Sequence, residues 1–303
     1  MSTPVKIPSI NALHQFLGLK KPLNPLVSLF GFDDVKLESE TILSAFTSDF
    51  YIIALKKDCA GGKFKYGQQY YDFDEGIMYF TAPNQVLQFE DILLNGVKGF
   101  VLAVHPDFLY HYPLAVKIKE YGYFSYTVNE ALNLSEKEEG AIIQIIENIG
   151  KEIHNNMDAF TQDLLISNIE LLLKYCDRYY SRQFLTRKKA NYDLLIKLEA
   201  LLDDSFKNDN LTANGIPTVA NIAKEFHLSP NYLSDMLRIQ TGQTTQQHIQ
   251  NRIIEKAKEL LSTTSLSVSE IAYRLGFEYP QSFHRLFKNQ VTVSPLEFRQ
   301  SFN

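Results

Sequence analysis

Two short runs of apolar residues at helical spacing, separated by a Leu-Gly-Phe turn, occupy Val268 to Asn289 and leave few options for the local structure. In the first run Ile271, Ala272 and Leu275 share one face, and Gly276 is free to take the positive φ that ends a helix. Phe277 is placed to cover the core at the turn. A second helix starts near Pro280, whose missing amide proton is no loss in a first turn. That helix buries Phe283, Leu286 and Phe287 and leaves Tyr279, Gln281, Ser282, His284, Arg285 and Lys288 outside. The pattern is that of a compact helix-turn-helix unit.

The plan repeats about 50 residues earlier. From Thr218 to Leu228, Ile222, Ala223 and Phe226 face inward, and Ala223 matches Ala272 as the small residue that lets two helices approach. Ser229 caps a helix that begins at Pro230 and buries Tyr232 or Leu233 along with Leu237. Asn231, Ser234, Asp235 and Arg238 remain outward. Between the two units, Thr244 to Leu261 reads as one helix of about five turns, with Ile249, Ile253, Ala257, Leu260 and Leu261 at helical spacing. Such a connector holds two polar helix faces at a set angle. Their side chains are of the kinds that hydrogen-bond base edges and contact phosphates from a major groove. The candidate DNA-binding residues are therefore Asn231, Ser234, Asp235, Arg238, Tyr279, Gln281, Ser282, His284, Arg285 and Lys288. A three-helix unit is also a common way to bury a small core, but two copies in tandem with the same proline-started second helix favour the DNA reading.

Residues 211 to 300 resemble the DNA-binding domain of the AraC/XylS family of bacterial transcriptional regulators. The resemblance runs through both modules, the linking helix, the turn Leu275-Gly276-Phe277, the run Phe283 to Lys288, and Ser294-Pro295 followed by Phe298-Arg299. It implies a sequence-specific regulator with double-stranded DNA as partner, no catalytic activity and no cofactor. The reading helices would be Pro230 to Ile239 and Pro280 to Asn289, one helical turn of DNA apart. A small-molecule effector, a second copy of the chain and RNA polymerase are the further candidate partners. One departure stands out: where the family has Gly two residues before the Ser-Pro pair, as Gly242 supplies in the first module, this chain has Thr292. A different turn and a shallower seat for the second module are expected there.

Charge at first argues against DNA. The chain carries 30 Lys and Arg against 35 Asp and Glu, a formal net of -5, whereas nucleic-acid binders often carry an excess of positive charge. The imbalance is uneven, because residues 210 to 303 hold nine basic and seven acidic side chains. DNA contact is thus expected of the C-terminal part alone, with modest non-specific affinity for a single copy.

The front of the chain reads as mainly β. Thr41 to Phe46, Phe50 to Leu55, Phe64 to Tyr71, Gly76 to Phe80, Gln85 to Phe89 and Gly99 to Ala103 are rich in branched and aromatic residues. Gly61-Gly62, Asp72 to Glu75, Ala82 to Asn84 and Leu94 to Gly96 mark bends between them. Many short strands without intervening helices suggest a sandwich or closed barrel, and the resemblance implies a cupin-like barrel. Its many Tyr and Phe residues, among them Tyr79, Phe80, Tyr121, Tyr123, Phe124 and Tyr126, would either line an effector pocket or form ordinary core. From Ser135, whose Ser-Glu-Lys-Glu run has the capping-box form, the period turns helical. The resemblance assigns dimer contacts to the helices of Ile142 to Tyr175. The basic cluster Arg187-Lys188-Lys189 is either a solvated face or a contact to flanking DNA.

The expected organisation is a two-part chain. A β sensing domain, a cupin-like barrel with appended α-helices, covers 1–134, and a helical dimerisation segment covers 135–206. A linker at 207–217 leads to the all-α tandem helix-turn-helix domain at 218–303. His14, His105 and His111 contain no His-x-His pair, so no metal site is expected. No nucleophile elbow or phosphate loop occurs. Cys59 and Cys176 form neither a disulfide framework nor a metal spacing, and the first residues lack a basic segment followed by an apolar run, which together suggest a cytoplasmic protein with no membrane partner. The alternative is a cupin-like small-molecule-binding protein or enzyme whose C-terminal helices mediate protein contacts.

Overall fold

The computed structural model describes residues 4–36, 46–57, 64–66, 69–71, 76–87, 98–127, 130–155, 158–206, 211 and 215–302. The chain divides into two compact units, Met1–Gln183 and Phe184–Asn303. The bends expected at 61–62, 72–75 and 94–96, Cys59, and most of the 207–217 linker lie outside the described residues, as do the side chains of Lys188 and Lys189.

The first unit is organised by an open five-stranded sheet in the order β10-β7-β4-β9-β2. Its strands are β2 (Val27–Gly31), β4 (Tyr51–Lys57), β7 (Ile77–Thr81), β9 (Lys98–Val104) and β10 (Leu132–Asn133), all antiparallel to their neighbours. β4 is central and buried from Tyr51 through Leu55, so it reads as a continuous apolar run and not as an alternating one. The two faces nevertheless serve different cores. Ile52 and Ala54 join Val101 and Ala103 against Ile7, Ile10, Leu13, Phe46 and Phe50. These last residues lie on β1 (Val5–Ile7), α1 (Ile10–Phe16), β3 (Phe46–Ser48) and the loop after it. β1 and β3 form a small sheet with β8 (Val86–Leu87). On the opposite face, Phe80 sits opposite Ile53 in register and packs on Tyr123, Phe124 and Tyr180 at centroid distances of 4.6, 5.7 and 6.1 Å.

A cupin-like barrel is therefore not what this region forms. None of its sheets closes on itself among the described residues, and the large sheet ends at β10 and β2. The sequence reading missed β1 and α1, short elements that pack over the sheet, and β2, its edge strand, because short segments carry weak local signals. Once a second layer covers each face, a sheet no longer needs closure to bury its apolar side chains. Of the aromatic residues offered for a pocket, Phe80, Tyr123, Phe124 and Tyr126 are core.

Helices complete this unit. α2 (Leu114–Lys117) is a single turn, and α3 (Glu136–His154) starts at the Ser135–Glu138 capping box and buries Ile142, Ile145, Ile146, Ile149 and Ile153. α4 (Thr161–Thr186) is pinned by polar bonds as well as by apolar packing. Arg182 donates to Glu138 at 2.7 and 3.1 Å and to the Asn133 carbonyl at 2.7 Å. Tyr123 donates to the Leu173 carbonyl at 3.0 Å. Burial pushes the Cys176 thiol far up and keeps it protonated, which removes its nucleophilic character. Among the described residues no group of His, Cys, Asp and Glu could hold a metal ion, and no helix is long and apolar enough to cross a membrane.

Among the described residues the second unit contains helices and no strand. α5 (Lys188–Ser205) is followed by α6 (Val219–Glu225) and α7 (Pro230–Thr241), then by the long α8 (Thr245–Thr263). α9 (Val268–Arg274), α10 (Pro280–Val291) and α11 (Pro295–Gln300) complete it. α8 buries Ile249, Ile253, Ile254, Ala257, Leu260 and Leu261 and touches α7 before it and α9, α10 and α11 after it. Both helix pairs are thus built on one rod.

Candidate nucleic-acid interface

The two helix pairs are local copies of each other, and the equivalence extends to backbone caps. Thr218 caps α6 and Ser267 caps α9, each accepting a bond from the amide three residues on. Ile222 and Ala223 are buried in one copy and Ile271 and Ala272 in the other. The turn residue after the first helix has positive φ in both, 55° at His227 and 81° at Gly276. Pro230 and Pro280 each occupy the first turn of the second helix. Those helices end on left-handed residues, Gly242 at φ 77° and Thr292 at φ 70°, whose amides donate to Arg238 and Lys288 carbonyls at 2.9 Å. Capping boxes then open α8 at Thr244–Gln247 and α11 at Ser294–Glu297. Thr292 therefore keeps the glycine's turn, and the altered turn expected from its side chain does not occur.

Apolar anchoring sets which faces point outward. In α7 both Tyr232 and Leu233 are buried with Leu237, as is Met236, which the spacing did not single out. Phe184 packs edge-on to Tyr232 at 5.0 Å. In α10 Phe283 and Phe287 are fully buried, Leu286 is half-buried, and an aromatic file runs Phe277, Phe283, Phe287, Phe298 at centroid spacings of 5.5, 5.8 and 5.5 Å. Burying Phe283 and Phe287 contributes roughly 1.5–3 kcal/mol each. That anchorage orients α10 more firmly than its surface residues could.

The outward face of α10 carries every residue expected of it. Tyr279 at its N-cap is exposed, and so are Gln281, Ser282, His284, Arg285 and Lys288. The side chains of Gln281, Ser282 and Arg285 have no hydrogen-bond partner among the described residues. His284 and Lys288 lie close enough to Glu297 to lower its pKa, although hydrogen bonds from Ser294 are the larger cause.

α7 differs. Asn231 is exposed, but Ser234 is half-buried and bonded to Thr245 at 3.1 Å. Arg238 donates to Asp235 at 2.7 Å. The bond to Thr245 crosses from α7 to the start of α8, and helical spacing carries no sign of it. Sequence reasoning also missed what covers α8. Asp203 and Glu199 of α5 engage Arg252, and Glu199 lies 3.8 Å from His248. Burial lowers the His248 pKa, opposed by Glu199, and its Nε2 lies 2.9 Å from the Thr241 hydroxyl. A clue existed in the i, i+4 spacing of Glu199 and Asp203, but nothing local names Arg252 as their partner.

Known proteins resemble part of the second unit. A family model described as a helix-turn-helix domain matches residues 222–301. Over 79 residues, 26% of this chain and 28% of the relative, the sequence is 38% identical to the transcriptional activator RhaS of Escherichia coli O139:H28. Residues 222–301 are a helix-turn-helix domain. This helix-turn-helix domain is also similar to the C-terminal domain of the two-component response regulator yesN of Fusobacterium nucleatum, 28% identical over 35% of this chain and 98% of that one, with a TM-score of 0.32. A longer match, 28% identical over 159 residues, is to the uncharacterized HTH-type transcriptional regulator YfiF of Bacillus subtilis and covers 52% of this chain and 46% of the relative. The matches span less than half the length of these two curated relatives. The two curated relatives named here are an HTH-type transcriptional regulator and an HTH-type transcriptional activator.

Proposed function

We propose that this protein is a sequence-specific transcriptional regulator that lays α7 and α10 into successive major-groove segments of one duplex. The observation that carries the reading is the pair of equivalent helices mounted on α8, each anchored by apolar residues and each turning a polar face outward. In this docking mode side chains on the exposed face of a reading helix meet base edges, and contacts to phosphates fix its register. Asn231, Ser234, Asp235 and Arg238 form one face, and Tyr279, Gln281, Ser282, His284, Arg285 and Lys288 the other. The regulators named above support the same reading.

Selection of bound duplexes from a random pool, followed by footprinting of the enriched site, tests it. The expected result is an enriched motif with a protected span of roughly one and a half to two helical turns per subunit. Selection that enriches nothing even at low salt would refute the reading.

A second copy of the chain is the partner we propose for α4. Leu164 and Leu171 are exposed and lie seven residues apart on the same stripe of that helix. Asp163 lies at its N-terminal end and Lys174 and Arg178 toward the C-terminal end. Antiparallel apposition of two such helices buries these leucines against each other by symmetry, with Lys174 held at 3.0 Å by Glu170 of its own helix. Sedimentation should give the mass of a dimer for the native chain and of a monomer for Leu164→Lys/Leu171→Lys. A monomeric native chain at the concentrations used for binding would reject this partner.

A further inference from the structure

The two reading faces are equivalent in backbone but differ in charge. Counting from the proline that opens each helix, Asp235 occupies the place of Arg285, and Arg238 the place of Lys288. The second head thus offers two cations at these places and the first an acid and a cation, with no net charge. Neutralised phosphates are what make binding salt-dependent, so the first head should add little to that term. An uncompensated carboxylate at this place would also be repelled by DNA.

The carboxylate is compensated, and the way it is compensated is informative. Arg238 Nη2 donates to Asp235 Oδ1 at 2.7 Å, with the acid's side chain 17% exposed and the arginine's 59% exposed. Asp235 is therefore the covered partner and Arg238 the accessible one. A guanidinium held through one nitrogen keeps its remaining donors in a fixed plane. A fork presented in that way matches the O6 and N7 acceptors of guanine in the major groove. Fixing the fork before binding also removes part of the ordering cost that a free arginine bears on contact.

We infer that Arg238 is the base-reading residue of the first head, that it reads a guanine, and that Asp235 is its positioning residue. The second head, with Arg285 and Lys288 both cationic and exposed, supplies the salt-dependent anchoring. This division of labour rests on the proposed DNA-binding function and deepens it. Asp235 acts by aiming Arg238 and does not itself touch a base.

The experiment uses the full-length chain, the duplex selected from the random pool, its single-base-pair variants and a scrambled duplex of equal length. In the native protein one G·C pair in the part of the site covered by α7 should discriminate by at least about tenfold against the other pairs, within the range of a bidentate contact. Asp235→Asn should reduce that ratio several-fold while leaving affinity for the scrambled duplex equal or higher, since a negative charge has gone. Arg238→Lys keeps the charge and loses the fork, so it should abolish the same preference with little change in salt slope. Asp235→Glu, which restores a carboxylate acceptor, should recover part of the ratio, and Arg285→Ala should act at a different base pair and lower the salt slope. A loss of folding alone would weaken binding to every duplex together.

The inference is overturned if Asp235→Asn and Arg238→Lys retain native preferences at every position. It is equally overturned if Arg238→Lys weakens the selected and scrambled duplexes alike, the mark of a plain phosphate contact. Failure to enrich any motif with the native chain is a different result, because it removes the DNA-binding function itself and this assignment with it.

Discussion

Replacing Thr292 with glycine should stabilise the second unit, although glycine ordinarily weakens a chain. Thr292 is β-branched and sits at φ 70°, ψ -18°, in a region where a non-glycine residue bears roughly 1–3 kcal/mol of strain. Glycine removes that cost but adds about 0.5–1 kcal/mol of conformational entropy to be lost on folding. The hydroxyl donates only to the adjacent Val291 carbonyl at 2.5 Å on an exposed surface, so its loss matters little. The balance is a gain of about 1 kcal/mol, or a rise of roughly 3–5 °C in Tm for a unit of this size.

Gly242 provides the reciprocal experiment. It has nearly the same φ, 77°, and a Cβ built there meets nothing within 4 Å, so Gly242→Thr should cost about 1–2 kcal/mol through torsion alone. Calorimetry or urea unfolding of the full-length chain, following the transition of the second unit, measures both. A Thr292→Gly chain that melts at or below the native temperature would refute the torsional reasoning, as would a Gly242→Thr chain that loses nothing.

Three further outcomes follow from the same coordinates. Arg285→Ala and Lys288→Ala should each lower the salt slope of binding to the selected duplex by about one for every phosphate contact removed; unchanged slopes would place α10 outside the groove. Phe287→Ala, at a fully buried position, should destabilise the second unit by about 3–5 kcal/mol, measurable as an early transition in urea. Hydrogen bonds from Ser294 hold the Glu297 carboxyl below the ordinary glutamate value of 4.5. The folded state then binds fewer protons than the unfolded one, so this contribution is complete above that value and is lost as pH falls through the folded-state pKa. Glu297→Gln should flatten the acid side of the Tm-versus-pH curve, and an unaltered curve would mean that the cap carries no linkage.

Legibility in the sequence tracked how local each determinant was. The tandem modules could be read because caps, prolines and apolar spacing act within a few residues: Ser267, Gly276, Pro280 and Phe283 each specify a feature of the turn they occupy. Even Thr292, whose side chain argues against a left-handed turn, adopts that turn because α10 and α11 on either side demand it. The front half was legible in its central strands β4, β7 and β9 but not as a whole. Ile52 to Leu55 reads as a buried strand, yet whether a sheet curls into a barrel or lies flat between two layers depends on what covers it. Here the covers are α1 with β1 and β3 on one face and α4 with its aromatic partners on the other. Those contacts join residues far apart in sequence.

The interface divides in the same way. Helical periodicity by itself placed Gln281, Arg285 and Lys288 on an outer face, because burial of Phe283 and Phe287 leaves them nowhere else to go. Only the tertiary structure decided that Ser234 is tied to Thr245, that Arg252 answers Glu199 and Asp203, and that Asp235 is covered while Arg238 stands exposed. A spacing rule specifies direction around one helix axis. Partners on a second helix depend on packing, which depends on the shape of every side chain between them.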